Sequence, residues 1–296
     1  MTGEILTTGA RAAEPGPWVR ELKRFFWRLG RRKTTLIGGA VVLLFLALAI
    51  FAPLISPYDP IAGNWAAVRK APSAAHWLGT DELGRDMLAR IIWGARASLS
   101  AGCVSVGLAL AIGVPMGLTA GYAGGWSEAI LMRLTDAMLA IPFLILAIAL
   151  ATFLGPSLTN AMMAIGISAT PVFVRLTRGQ VISAKVEDYV EAARALGNPP
   201  LRIAVRHILP NVLPPILVQA TLTIAAAIIA EASLSFLGLG QQPPLPSWGS
   251  MLNVAKNYIG NAPWMAVWPG VSIFLVVLSF NLLGDGLRDA LDPRGR

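Results

Sequence analysis

The chain has 296 residues, 55% of them hydrophobic and only 14% charged, with a mean hydropathy of +0.63. Those proportions exclude an ordinary soluble domain and place the chain in lipid. A formal charge of +8 would suggest nucleic acid for a soluble protein, but cytoplasmic segments of membrane proteins collect Lys and Arg, so no nucleic-acid partner is implied.

Residues 1–34 form a polar tail carrying Arg11, Arg20, Lys23, Arg24, Arg28, Arg31, Arg32 and Lys33. An apolar run follows at 35–55, too long and too far from the start for a cleaved signal, and it reads as an anchor. Further runs at 98–121, 129–154, 158–174, 212–239 and 264–283 are each able to cross a bilayer as a helix, so an all-α bundle of about six spans is expected. The run at 158–174 is the weakest, interrupted by Asn160, Thr170 and Pro171. With the tail inside, eighteen of the 24 Lys and Arg residues fall on the cytoplasmic side, which supports both termini being cytoplasmic.

Within and between these runs several groups stand out. From Asp86 to Leu99, Met87, Ile91 and Ala95 share a helical face, as in an interfacial lead-in to the second span, and Asp86 has Arg90 one turn on. Gly113, Gly117 and Gly121 form a flat stripe for another helix, of this chain or of a neighbour. Cys103, the single cysteine, excludes an internal disulfide and reads as packing. Asp136 has Arg133 in reach at i−3, and Glu231 lies near the outer end of the fifth run; structural pairing competes with a transport role for both. Asn160, Gln219, Thr221 and Thr223 could line a polar path or bond between helices.

The inner loop 175–211 reads as two short helices. Val186, Tyr189, Val190, Ala193 and Leu196 recur at helical spacing, Gly197 suits a left-handed cap, and Pro199 and Pro200 open a second helix from Leu201 to Leu209 that Pro210 closes. A solvated connector resting on the bilayer is the alternative to a docking element. The Gly- and Pro-rich stretch 238–249 reads as a structured outer loop, a seat for a partner or an anchor for the last span.

Glu191-Ala192-Ala193, Gly197 and Ile208-Leu209-Pro210 resemble the E-A-A…G…I-x-L-P motif of permease subunits of ABC importers, with His207 where the general pattern has Ile. The form His207-Ile208-Leu209-Pro210-Asn211 is similar to the dipeptide and oligopeptide branch. The blocks His76-Trp77-Leu78-Gly79-Thr80-Asp81, Leu83-Gly84-Arg85-Asp86 with Arg90, Gly94 and Arg96, and Ala232 to Gly240 with Pro246-Ser247-Trp248-Gly249 resemble the second, C-type permease of that branch.

The resemblance implies a type I permease-like bundle in a bacterial inner membrane that forms half of a translocation path. It implies contact with an ATPase subunit through Glu191, Ala192, Ala193, Gly197, Leu209 and Pro210 of the 186–210 loop. The implied partners are a second homologous permease, two ATP-binding subunits that hold ATP and magnesium, and an extracytoplasmic solute-binding protein. Dipeptides, longer peptides, glutathione and metal chelates all remain open as cargo. The chain has no G-x-x-x-x-G-K-[ST] loop and no His, Cys and carboxylate cluster at metal-ligand spacing, so no catalysis, cofactor or metal is expected in it. An ion-gradient-driven secondary transporter is the alternative, and it would favour inverted repeats and committed charges near the midplane.

Overall fold

The computed structural model describes Gly30 and residues 32–291, and these are helices and connecting loops without a named strand. Most of the expected 1–34 tail and residues 292–296 lie outside the described part.

Helix α1 (Lys33–Ile50) buries Thr35, Gly38, Val42, Phe45 and Ala49, the three-to-four spacing of one helical face, and leaves Leu36, Ile37, Leu43 and Leu44 exposed. A one-turn helix α2 (Ala52–Ile55) and a 3₁₀ turn (Trp65–Ala67) lead into a loop head. Helix α3 (Met87–Ala123) is capped by Asp86, which accepts the Ala89 N–H at 2.8 Å. Its 37 residues extend about 55 Å, well past an apolar core of about 30 Å. The lead-in expected at 86–99 continues into the span without a break, and Met87, Ile91, Ala95 and Leu99 sit in the protein core.

Helices α4 (Gly125–Leu139) and α5 (Phe143–Leu154) meet at 91°, because Pro142 disfavours helical backbone in the residue before it. Helix α6 (Leu158–Ala184) starts at Ser157, whose hydroxyl accepts the Asn160 N–H, and runs through Pro171. Among the described residues, four helical segments are long and apolar enough to cross a membrane, five with the α4–α5 pair counted as one. Helix α6 is long enough but less apolar, and it compensates by burial: its contact with α3 is the most extensive between any two helices.

Glycine makes that contact possible. A Cβ on Gly117 would lie 2.6 Å from the Val174 carbonyl oxygen and 2.7 Å from Thr177 Cβ; on Gly113, 2.8 Å from Phe173 Cβ; on Gly121, 2.8 Å from Val181 Cβ. Reciprocally, a Cβ on Gly166 of α6 would meet the Ser105 carbonyl oxygen at 2.8 Å, and Ser105 donates to the Met162 carbonyl across the seam. The stripe thus serves packing within the chain.

The remaining elements are α7 (Asp188–Ala195), α8 (Pro200–Arg202) continued by a π turn (Ile203–Ile208), α9 (Leu209–Phe236), α10 (Trp248–Ala255) and α11 (Trp264–Leu291). Two cores result. One joins α3, α5, α6, α7, the π turn and α9; the other joins α1, the first turns of α3, α9, α10 and α11. The bundle has a head end, made of the loops before α3 and around α10, and a hairpin end, made of 185–208.

Candidate functional site: hairpin and head

The hairpin begins with α7, which carries Asp188 and Glu191 in its first turn and Arg194 in its last, each sign favoured by the helix dipole. Gly197 adopts φ +74°, and the Asn198 N–H returns to the Ala193 carbonyl at 3.3 Å, the six-to-one bond of a Schellman cap. The second helix departs from expectation. Pro210 does not close it: the chain passes through the π turn directly into α9, with Pro210 in the first turn of that helix. A π turn widens the backbone just ahead of Pro210, where a regular α turn would set its ring against the carbonyl four residues back.

Val190 and Ala193 of α7 are buried in one core with Ile203 and Ile208, which fixes α7 onto the π turn. Of the residues expected at an ATPase contact, Glu191, Ala192, Gly197 and Pro210 are exposed, Leu209 is half-buried, and Ala193 turns inward. The outer surface of the hairpin is mixed: Val186 (74% exposed), Leu196 (82%) and Leu201 (75%) project among the exposed charges of Glu187, Asp188, Arg194 and Arg202.

Three contacts tie the hairpin end together. Arg178 Nε bonds Glu128 at 2.7 Å, Lys185 Nζ donates to the Tyr122 carbonyl at 2.7 Å, and Arg175 pairs with Asp136 at 2.6 Å. Asp136 therefore pairs across to α6 and not with Arg133 on its own helix.

The head is built on charges that sequence reasoning did not assemble. Asp81 Oδ2 pairs with Arg85 Nε at 2.6 Å and Arg90 Nε at 3.3 Å, while Oδ1 accepts the N–H groups of Leu83 and Arg85. Arg90 also donates to the Pro60 carbonyl. Asp86, expected opposite Arg90, instead caps α3 with one oxygen and holds His76 Nδ1 at 2.9 Å with the other. Asp81, Arg85, Asp86 and Arg90 are all buried. Glu82 pairs with Arg85 at 2.5 Å, yet burial first and Asp81 second push its carboxyl above the usual range, outweighing the arginines. The available signal was the density of charge between Asp81 and Arg90 in so apolar a chain.

Glu231 of α9 is fully buried and accepts from Ser98 of α3 at 3.0 Å and Ser235 at 2.6 Å. Ser98 also accepts the Trp248 N–H at 3.4 Å, and Ser235 the Gln241 N–H at 3.1 Å. One carboxylate thus ties α3 and α9 to the 237–247 loop and α10. Trp248 is buried, not interfacial, donating to the Ile91 carbonyl and meeting Phe45 edge-on at 5.5 Å.

Of the polar-path residues, Gln219 and Thr223 come together, Gln219 Nε2 donating to the Thr223 hydroxyl at 3.2 Å, and Asn160 stands apart from them. Asn160 is occupied at the α5–α6 turn, donating to the Leu154 and Gly155 carbonyls, two residues past Leu158, which faces the head loop. Gln219 lines a cavity of about 460 Å³ with Pro214, Asp285 and Arg288 near the hairpin end, and Thr223 bonds back to the Gln219 carbonyl.

Known proteins now bear on this architecture. Residues 113–296 match the family described as binding-protein-dependent transport system inner membrane component, and residues 21–72 match the N-terminal transmembrane domain of oligopeptide transport permease C. A dipeptide transport system permease of Alkalihalophilus pseudofirmus is 48% identical over 94% of this chain and 90% of its own length. A glutathione transport system permease of Pectobacterium atrosepticum is 46% identical over 94% and 91%. A probable D,D-dipeptide permease of Escherichia coli is 44% identical over 92% and 91%. The inward-facing methionine ABC transporter has a chain that superposes with a TM-score of 0.56 at 24% identity, covering 70% of this chain and 98% of that one.

The chain is thus an inner-membrane component of a binding-protein-dependent transport system: it belongs to that family of ABC transporter permeases. It is a multi-pass, non-catalytic subunit of an importer, and the ATPase is a separate chain.

Proposed function

We propose that this permease forms half of the translocation path for di- or oligopeptides or similar small solutes, paired with a second, homologous permease. Relatives named for dipeptide and glutathione transport support that range of cargo. Two ATP-binding subunits, which hold ATP and magnesium, engage the hairpin, and an extracytoplasmic solute-binding protein delivers cargo to the head. The bundle crosses six times, with α4–α5 as one broken span and α6 as the least apolar, and both termini lie in the cytoplasm.

The observation that carries the reading is the hairpin. It is a rigid turn, locked inward by Val190, Ala193, Ile203 and Ile208, that presents Glu191, Ala192 and Gly197 beside exposed Val186, Leu196 and Leu201. Such a surface is costly in water and suits a partner groove. Glu191 supplies the polar contact, Ala192 the close approach, and Ala193 the seat that keeps α7 in place. Because α8 and the π turn continue into α9 without a loop, a push on the hairpin moves a span directly.

The test is ATP-dependent uptake of labelled dipeptide by proteoliposomes containing the full complex. Gly197→Val forces a side chain into the left-handed region. It is expected to leave membrane insertion intact and to abolish solute-stimulated ATP hydrolysis. Unchanged stimulation in that variant removes the docking role.

A further inference from the structure

Between the first turns of α3, the start of α6 and the 237–247 loop lies a cavity of about 410 Å³, lined by Trp93, Arg96, Ser100, Leu158, Gln241 and Pro246 among others. No carboxylate lines it. Its polar groups are donors in excess. Arg96 is a fixed positive charge that forms no ion pair among the described residues, and its guanidinium lies 5.2 Å over the Trp93 ring. The indole N–H of Trp93 is buried and has no hydrogen-bond partner among the described residues. Gln241 spends one amide N–H on the Gln242 carbonyl and keeps a second.

A buried N–H left unpaired is rare and calls for a reason. An arginine stacked on tryptophan at the edge of a span also suits an interfacial belt, but here the half-buried Trp93 and the exposed Arg96 line one cavity together with Gln241, Leu245 and Pro246 of the 237–247 loop. The cavity adjoins a second one of about 360 Å³ through Gln241 and Leu245, and that cavity leads to Glu82, Arg85 and Arg90 of the head. The volume is that of a small-solute site, with few polar groups placed among apolar walls.

We infer that Arg96, with Trp93 Nε1–H and Gln241, forms a carboxylate subsite at the head-end mouth, which receives the carboxyl end of the transported solute. Arg96 supplies the charge-assisted bond, and the indole and amide N–H groups orient the second oxygen. The inference rests on the solute-path reading of the head, but its chemistry requires a carboxylate and not a peptide as such.

The test uses the assembled complex in phosphatidylcholine nanodiscs. Modification of Arg96 by phenylglyoxal is followed by mass spectrometry in the presence of N-acetylalanine, dialanine or dialanine amide. Both carboxylates are expected to slow modification of Arg96 about tenfold, the effect of one charge-assisted bond, and the amide to leave it unchanged. Trp93→Phe removes the donor, and protection measured against that variant's own unprotected rate is expected to weaken. Equal protection by the amide, no protection, an unreactive Arg96 in the complex, or protection that appears only when phosphatidylglycerol is added each overturns the subsite. Failure of dipeptide uptake with protection intact removes the peptide cargo and leaves the subsite standing.

Discussion

Replacing Gly117 with Ala isolates the seam between α3 and α6. The new methyl would sit 2.6 Å from the Val174 carbonyl oxygen and 2.7 Å from Thr177 Cβ, where ordinary contact begins near 3.4 Å. Backbone and a β-branched Cβ cannot swing away, so the two helices must separate by roughly 0.8 Å over a seam closed by four glycines. Overpacking of this kind costs about 1–3 kcal/mol. For a chain of this size that lowers the melting temperature by about 2–5 °C. Gly107, on the same helix, has no heavy atom within 4 Å of its would-be Cβ. Gly107→Ala is therefore expected to be neutral or stabilising by up to about 1 kcal/mol. The assay is thermal unfolding of each purified variant in one detergent. Equal shifts for the two variants, or a Gly117→Ala protein as stable as the parent, would refute the close-packed seam.

At the head, Asp81→Asn removes the charge that Arg85 and Arg90 share in a buried site, and a loss of about 3–5 kcal/mol is expected, read as reduced yield and melting temperature. Arg85 and Arg90 remaining stably folded without it would contradict that. Glu231→Leu strands the Ser98 and Ser235 hydroxyls at about 1–3 kcal/mol each, whereas Glu231→Gln keeps an acceptor and loses less; identical melting curves for the two would count against the hydrogen-bonded tie. Glu82 supplies a pH dependence. Its raised folded-state pKa means that its contribution is largest below 4.5 and is lost as pH rises through the folded value. The stability of the parent relative to Glu82→Gln should fall between acid and neutral pH, and a rise over that window would reverse the assignment.

How much was legible in advance depended on whether a signal was local. Hydropathy located apolar helices, of which four, or five with the bent pair, are long and apolar enough to span among the described residues, and Gly197 with its flanking prolines located the hairpin turn. The outcome at Pro210 was not local: proline usually ends a helix, and here a π turn makes room for it. Pairings at i,i+3 and i,i+4 misled for Asp136 and Asp86, because partners on other elements, Arg175 and His76, were closer in space. The partner of the glycine stripe, the burial of Ala193 and the wide separation of Asn160 from Gln219 likewise depend on tertiary packing that spacing along the chain does not encode.

The measurement nearest to the core of the account is sidedness of the hairpin. In a Cys103→Ser background, single cysteines at Tyr189 and Arg202 are probed with a membrane-impermeant maleimide in vesicles of both orientations. Labelling confined to inside-out vesicles is the predicted result; labelling of right-side-out vesicles would leave the hairpin no motor to engage.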